Sequence, residues 1–313
     1  MSSLNDSLPL AISHPIRKAE AARPARSQQG SFRRVWWRHG LAILALLWAL
    51  FPVVFIISAA LNPSGTLSTA ELLPKNVSMT NFDALFSDTS RPYLTWYKNS
   101  MIIAGSGALA SVFIGACAAY AFSRMRFAGR RPGLFALLLL QMFPALLAFV
   151  ALYVTFVAVG DVLPAFGINT SAGLIVAYLG GAMGANVWLL KGYFDTVPRE
   201  LDEAAKVDGA SHARIFFTMT LRLVMPILVT VFMLSFVGLF GEFLLASIFL
   251  RDVDSQTLGV GLWSMVSLAG NSDRNKYFGQ FCAGAMLASL PVVVLYLGFQ
   301  KQLVGGLTQG SVK

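Results

Sequence analysis

Residues 197–210 read VPRELDEAAKVDGA, and residues 211–226 continue SHARIFFTMTLRLVMP. Pro198 suits a first helical turn, where its missing N–H would have had no partner anyway. Glu200, Asp202 and Glu203 complement the positive end of the helix dipole, and Leu201, Ala204 and Ala205 supply one apolar edge. Asp208-Gly209 should stop that helix, since glycine accepts the left-handed conformation that closes a helix C-terminus. Beyond it, Ile215, Phe216 and Met219 share one side of a second helical segment. A short helix, a sharp turn and another helix would form a knob; an amphipathic connector lying on a lipid surface is the competing structural reading.

What lies on either side makes a membrane surface relevant. Apolar runs occupy 172–190 and 223–250, and further runs fill 40–61, 101–122, 134–157 and 277–299. Each approaches the roughly 20 residues that cross a hydrocarbon core. Hydrophobic residues make up 56% of the 313 and charged residues 12%, a charged share about half that of a soluble domain. The expected fold is an all-α integral membrane protein with six transmembrane helices, occupying residues 40–313 and carrying 191–225 as a structured loop. Residues 1–39 are polar and Arg-rich without apolar periodicity, which predicts a disordered tail. The run 40–61 is too long for a signal sequence and sits behind too long a leader, so it is read as a retained first span.

Basic residues orient the chain. Arg17, Lys18, Arg23, Arg26, Arg33, Arg34 and Arg38 precede the first span; Arg124, Arg126, Arg130 and Arg131 follow the second; Lys191, Arg199, Lys206, Arg214 and Arg222 follow the fourth; Lys301 and Lys313 follow the last. With six crossings all of these share one face, leaving Lys75, Arg91, Lys98, Arg251, Arg274 and Lys276 on the other. The positive-inside rule then places both termini and the 191–225 loop in the cytoplasm. This topology accounts for the formal charge of +9, so nucleic acid is not expected as a partner.

Within the spans, Gly107, Ser111, Gly115 and Ala119 repeat every four residues, as do Gly180 and Gly184, giving small stripes where helices approach closely. Pro52, Pro144, Pro226 and Pro291 should bend their helices. Cys117 and Cys282 read as small buried side chains without a disulfide or metal role. Glu242 is the one carboxylate inside an expected span; it is either a lining residue of the permeation pathway or a paired structural carboxylate.

Catalytic chemistry is not indicated. No Gly-Lys dipeptide exists to end a phosphate-binding loop, the three histidines fall outside the spans, and neither H-E-x-x-H nor a G-x-S-x-G elbow occurs. No catalytic, cofactor or metal residue is assigned, and an ATP-driven process would need its motor on another chain.

The run Glu203-Ala204-Ala205, three residues, then Gly209, with Pro226 beyond, resembles the EAA loop of permeases from binding-protein-dependent ABC importers. The phrase from Val197-Pro198 to Asp208-Gly209-Ala210 is similar to the sugar-importing branch, as are Lys98-Asn99-Ser100, 118–131 and Gln141-Met142-Phe143-Pro144. Residues 250–258 (LRDVDSQTL) and 306–313 (GLTQGSVK) resemble the smaller permease subunit of maltose/maltodextrin importers. Arg222 stands where that family usually has proline, so the second half of the loop could leave the membrane at another angle.

The resemblance, which covers about 35–313, implies a type I importer (MetI-like) permease fold in a bacterial inner membrane. It implies a second, larger permease subunit, two copies of an ATP-binding subunit and an extracytoplasmic sugar-binding protein as partners. Glu203, Ala204, Ala205, Asp208 and Gly209 would dock the ATPase, Gly310, Ser311, Val312 and Lys313 would reach the ATPase dimer, and the outer 251–276 loop, with Arg251, Asp252, Ser264 and Asn271, would enter the binding protein's cleft. The expected function is ATP-coupled import of maltodextrin-type sugars by alternating access. Import of another sugar such as trehalose is the nearest alternative, and a self-sufficient secondary transporter or channel is the alternative from a different class.

Overall fold

The computed structural model describes residues 32–64, 76–267 and 271–308, and all regular structure among them is helical. In order these are α1 (Phe32–Leu61), α2 (Thr80–Ser87), α3 (Tyr93–Arg124), α4 (Arg130–Gln141), α5 (Ala145–Val162), α6 (Ser171–Phe194), α7 (Arg199–Val207), α8 (His212–Ile215), α9 (Leu221–Leu223), α10 (Met225–Phe240), α11 (Leu244–Phe249), α12 (Leu258–Ser267) and α13 (Asn271–Thr308). Short 3₁₀ turns lie at Pro164–Phe166 and Val253–Ser255, and a π turn spans Phe216–Thr220. The chain divides after Leu50 into two units, and every contact described below lies within the second, Phe51–Lys313.

Among the described residues, four helices are long and apolar enough to cross a membrane: Trp36–Leu61 within α1, α3, α5, and Tyr277–Gln302 within α13. Two more candidates are bent pairs. Ser171–Gly181 and Gly184–Phe194 incline by 57°, and His212–Leu223 meets Met225–Phe240 at 79°. Six crossings follow only if each bent pair counts as one.

Three boundaries differ from the hydropathy reading. Helix α1 begins at Phe32, so 32–39 is helical, not part of a structureless tail. The run 134–157 is split: α4 ends at Gln141 and α5 starts at Ala145, with Pro144, at φ −61° and ψ 116°, as the N-terminal cap residue of α5. The run 223–250 is split at Gly241–Phe243 into α10 and the six-residue α11. Hydropathy registers apolar content, and a break flanked by leucines leaves that content unchanged. Pro52 and Pro291 do lie inside helices, whereas Pro226 sits in the first turn of α10, where it needs no N–H partner.

The small-residue stripe of α3 is buried as its spacing predicts. A Cβ on Gly107 would meet Leu239 Cδ1 at 2.9 Å, and one on Gly115 would meet Asn186 Cβ at 3.2 Å, so α10 and α6 both use the groove. Asn186 Nδ2 donates to Ser111 Oγ at 2.7 Å, giving that seam a polar lock. Of the Gly180/Gly184 pair in α6, Gly184 is closely approached, by Gln141 at 2.9 Å, while Gly180 faces open space. Cys282 is buried but Cys117 is exposed, contrary to its expected burial.

Candidate coupling site and permeation cavity

The knob forms as its residues dictate. Helix α7 is closed by two hydrogen bonds, Gly209 N to Lys206 O and Ala210 N to Ala205 O, both 2.9 Å. That pair, with Gly209 at φ +79°, is a Schellman closure. Nothing lies within 4 Å of a Cβ placed on Gly209, so the backbone angle alone demands glycine there. Ser211 then caps the second segment, its Oγ accepting from Arg214 N at 3.3 Å.

The knob is bolted to the end of α3. Arg124 Nε stands 2.8 Å from Asp202 Oδ2, with side chains only 4% and 9% exposed. The Nε–H does not aim squarely at the carboxylate, so the contact is an ion pair more than a hydrogen bond. Arg124 also donates through an NH2 nitrogen to Val197 O at 2.7 Å, and Ser123 Oγ donates to Asp195 Oδ1 at 2.6 Å. Lys191 Nζ lies 2.5 Å from Asp195 Oδ2. Burial pushes the Asp195 carboxyl up, but donation by Lys191 and Ser123 and the positive charge of Lys191 hold it below its ordinary value. Beneath, Tyr120, Phe194 and Phe216 pack with ring centroids 5.0 and 6.3 Å from Tyr120.

This arrangement corrects the expected apolar edge of α7. Its inward residues are Asp202 and Ala205, one turn apart, whereas Leu201, Glu203, Ala204 and Val207 are exposed, Val207 at 88%. The helix thus holds on by a charge and a methyl and offers its aliphatic side outward. The π turn at Phe216–Thr220 keeps Ile215, Phe216 and Thr220 buried together, with Met219 only half-buried.

The expected outer loop 251–276 contains a packed helix. Residues 258–267 form α12, whose Leu258 and Met265 are buried against a cluster containing Trp96, Tyr93 and Cys282. Helix α3 fixes the approach to it: Trp96 Nε1 donates to Val253 O at 2.7 Å, Asn99 Nδ2 to Asp254 O at 2.8 Å, and Ser100 Oγ accepts from Leu258 N at 2.7 Å. A Cβ on Gly261 would overlap the Trp96 ring, so only glycine lets α12 rest there. Arg251 is exposed, with its guanidinium over Tyr153 at 4.9 Å, and Asn169 Oδ1 accepts from Arg251 N at 2.6 Å and Asp252 N at 3.3 Å. Ser264 is half-buried, its Oγ donating to Gly261 O at 2.6 Å. Asn271 opens α13, with its side chain outside the described residues, and Gly310, Ser311, Val312 and Lys313 lie outside them altogether.

Glu242 occupies the break before α11 and is not within a helix. Its Oε1 accepts from Leu245 N at 2.8 Å, and its Oε2 accepts from Ala246 N at 3.0 Å and from the Tyr178 hydroxyl at 2.5 Å. The carboxylate therefore satisfies first-turn N–H groups at the N-terminus of the short helix and ties it to α6. It also borders a cavity of about 630 Å³ between α5, α6 and α10, which Gln141 and Tyr178 share.

The structure thus brings Glu203, Ala204, Ala205, Asp208 and Gly209 onto one knob and keeps Arg251 and Asp252 together at the far end of α3. Sequence reasoning missed Arg124, Trp96, Asn99, Asn169 and Tyr178 as the residues that hold these parts. Their partners lie dozens of positions away in sequence, and no local pattern encodes that.

The chain belongs to the family described as binding-protein-dependent transport system inner membrane component, whose model matches residues 92–308. With the fold above, this makes it a MetI-like permease component of an ABC transport system, in which ATP hydrolysis belongs to a separate subunit. It is 41% identical over 292 residues to the maltose/maltodextrin transport system permease protein MalG of Vibrio vulnificus strain YJ016, covering 90% of this chain and 96% of that protein. Identity to MalG of Escherichia coli strain K12 is 38% over 291 residues, with coverage again 90% and 96%. Among solved structures it matches one from a bacterial ABC transporter that imports the acidic polysaccharide alginate, with a TM-score of 0.72 and 23% identity over 88% of this chain and 98% of that one. That likeness bears on the fold alone.

Proposed function

We propose that this chain is the smaller permease subunit of an ATP-driven importer of maltose and maltodextrins, spanning a bacterial inner membrane six times with both termini in the cytoplasm. A larger permease subunit, an ATPase dimer and an extracytoplasmic sugar-binding protein complete the machine. ATP is bound by the dimer, and this chain contributes half of the pathway and performs no covalent chemistry.

One observation carries the reading: α7 is clamped from within by Arg124–Asp202 and closed by Gly209, while Leu201, Glu203, Ala204 and Val207 are left outward. A mere connector on lipid would gain nothing from a buried ion pair and a left-handed closure. A rigid peg seated in a cleft of a moving partner needs both, because a peg that deforms cannot pass on work. The relatives named above support maltodextrin as the cargo.

Purification from the native membrane, followed by ATPase assay in proteoliposomes with each candidate sugar, tests this. The expected result is co-isolation of an ATPase and a second permease, with hydrolysis stimulated by maltose and its binding protein. Stimulation by trehalose alone would reassign the sugar. A chain that moves sugar with no ATPase present would be a secondary carrier, and the reading would fall.

A further inference from the structure

We propose that the turn between α3 and α4 is a headgroup site for an anionic phospholipid, in which Arg126, Arg130 and Arg131 hold the phosphate diester and Phe127 lies among the upper acyl carbons. The inference adds a lipid partner to the function proposed above and rests on that reading only for the assembly in which it is tested.

The depth suits a headgroup. The apolar body of α3 ends at Phe122, and the next apolar run starts at Leu134 in α4. Between them stand four arginines, Arg124, Arg126, Arg130 and Arg131. A basic turn joining two apolar helices settles where hydrocarbon gives way to phosphate, and basic pockets beside membrane helices at that level take anionic headgroups.

The turn is folded into a pocket. A cavity of about 360 Å³ is lined by Arg126, Phe127, Gly129, Arg130, Arg131 and Pro132, with no acidic side chain among them. Gly129, at φ +89°, lets the chain reverse from the end of α3 into α4. Arg130 Nε donates to Phe122 O at 2.6 Å and an NH2 nitrogen to Ser123 O at 3.4 Å, which fixes the guanidinium against the end of α3. Three of its five N–H groups remain for a ligand. Arg124 is committed to Asp202, but Arg126 and Arg131 are exposed, and among the described residues neither has a hydrogen bond or an ion pair. On the elements packed against the turn, Asp202 is matched by Arg124 and Asp195 by Lys191, while Glu203 borders the adjoining cavity together with Arg199 and Lys206. The charge left at the turn is positive.

Apolar side chains at the same turn favour a lipid over a soluble anion. Phe127 is 43% exposed, with its ring 5.5 Å from that of Phe122, and Met125 is exposed beside it. Arginines alternating with large apolar side chains match a ligand that is charged at one end and apolar at the other. A free phosphate would use the arginines alone.

The test is native mass spectrometry of the complex released from nanodiscs that hold phosphatidylglycerol and phosphatidylcholine in equal amounts, reading the ratio of the two lipids that stay bound. The wild type should retain phosphatidylglycerol at least about fivefold over phosphatidylcholine, since each basic residue beside an anionic headgroup is worth about that factor. Arg126→Gln with Arg131→Gln should lower the ratio at least about fivefold on the same scale; Arg130 stays intact because it also covers the end of α3. Arg222→Gln, at an exposed arginine outside the pocket, should leave the ratio at the wild-type value. No preference in the wild type, or equal losses in Arg222→Gln and the double variant, would mean bulk charge and no site, which overturns the proposal. Displacement of the lipid by millimolar inorganic phosphate would overturn it in favour of a free-anion site. Loss of the co-isolated ATPase from the double variant, with the lipid ratio unchanged, would assign this surface to the ATPase instead. The ratio is read on whatever assembly the chain forms, so isolation without an ATPase would refute the importer and still decide the lipid site.

Discussion

Arg124, the last residue of α3, and Asp202, in the first turn of α7, form a buried ion pair with Nε and Oδ2 2.8 Å apart. A transmembrane helix and a peg that extends from the bundle are thereby made one body. Desolvation cancels much of what such a pair gains by attraction, so its worth is best seen when one partner is removed.

Asp202→Ala leaves the Arg124 charge buried without its partner, at a cost of about 3–5 kcal/mol. The double change Arg124→Met with Asp202→Leu removes both charges and should recover most of the thermal stability in detergent, yet without restoring coupled ATP hydrolysis. Equal melting temperatures for the single and double variants would mean that the pair carries no electrostatic burden.

At Gly209 the strain is conformational only, since a side chain there meets open space. A left-handed non-glycine residue costs roughly 1–2 kcal/mol, too little to unfold the bundle. Gly209→Asp should insert and assemble, then lose sugar-stimulated ATPase and uptake together. Gly209→Asn should retain more activity than Gly209→Val, because asparagine tolerates positive φ and a β-branched residue does not. Glu203→Lys, on the exposed side of α7, should weaken docking without changing stability. Activity at the wild-type level in Gly209→Val and Glu203→Lys alike would reduce the knob to a connector.

The 264–269 stretch cannot be deleted to probe delivery by the binding protein, because Met265 is fully buried. Met265→Ala should cost about 2–5 kcal/mol, and Gly261→Ala about 1–3 kcal/mol by forcing the Trp96 ring aside. Trp263, 54% exposed, is the residue to change instead. Trp263→Ser should keep the melting temperature and impair sugar delivery; normal uptake would leave this face of α12 without a role.

Asp195 gives the peg end of the bundle a pH signature. Its folded carboxyl lies below the ordinary value of 3.8, with burial opposing the shift and Lys191 and Ser123 producing it. A depressed folded value contributes stability above the unfolded one, and that contribution is lost as pH falls through the folded value. Asp195→Asn should therefore flatten the acid limb of stability below about pH 4 and leave neutral behaviour nearly unchanged. An acid limb identical to the wild type would show that the bonds to Asp195 do not persist in solution.

The legible parts of this protein were those encoded locally. Pro198, the acidic first turn and Gly209 specify a helix and its end within a dozen residues, and apolar runs announce spans. The breaks at 142–144 and 241–243 were hidden, because leucine and phenylalanine read the same on either side. Burial of α12 was hidden for another reason: its core neighbours Trp96 and Cys282 are remote in sequence. Glu242 was legible as unusual, but the two amides and the hydroxyl that hold it exist only once α11 turns back toward α6.

Helix α3 runs for 32 residues, about 48 Å at 1.5 Å per residue, with no internal proline. One end grips the peg through Ser123 and Arg124; the other holds the 253–258 segment through Trp96, Asn99 and Ser100. It is a strut loaded at both ends, and a strut conveys displacement along its length without any relay of side chains. Its two grips must therefore stay in phase about the helix axis. One alanine inserted near Gly105 would turn one grip roughly 100° against the other, and the insertion should uncouple events at the peg from those at the 253–258 segment while leaving each end folded.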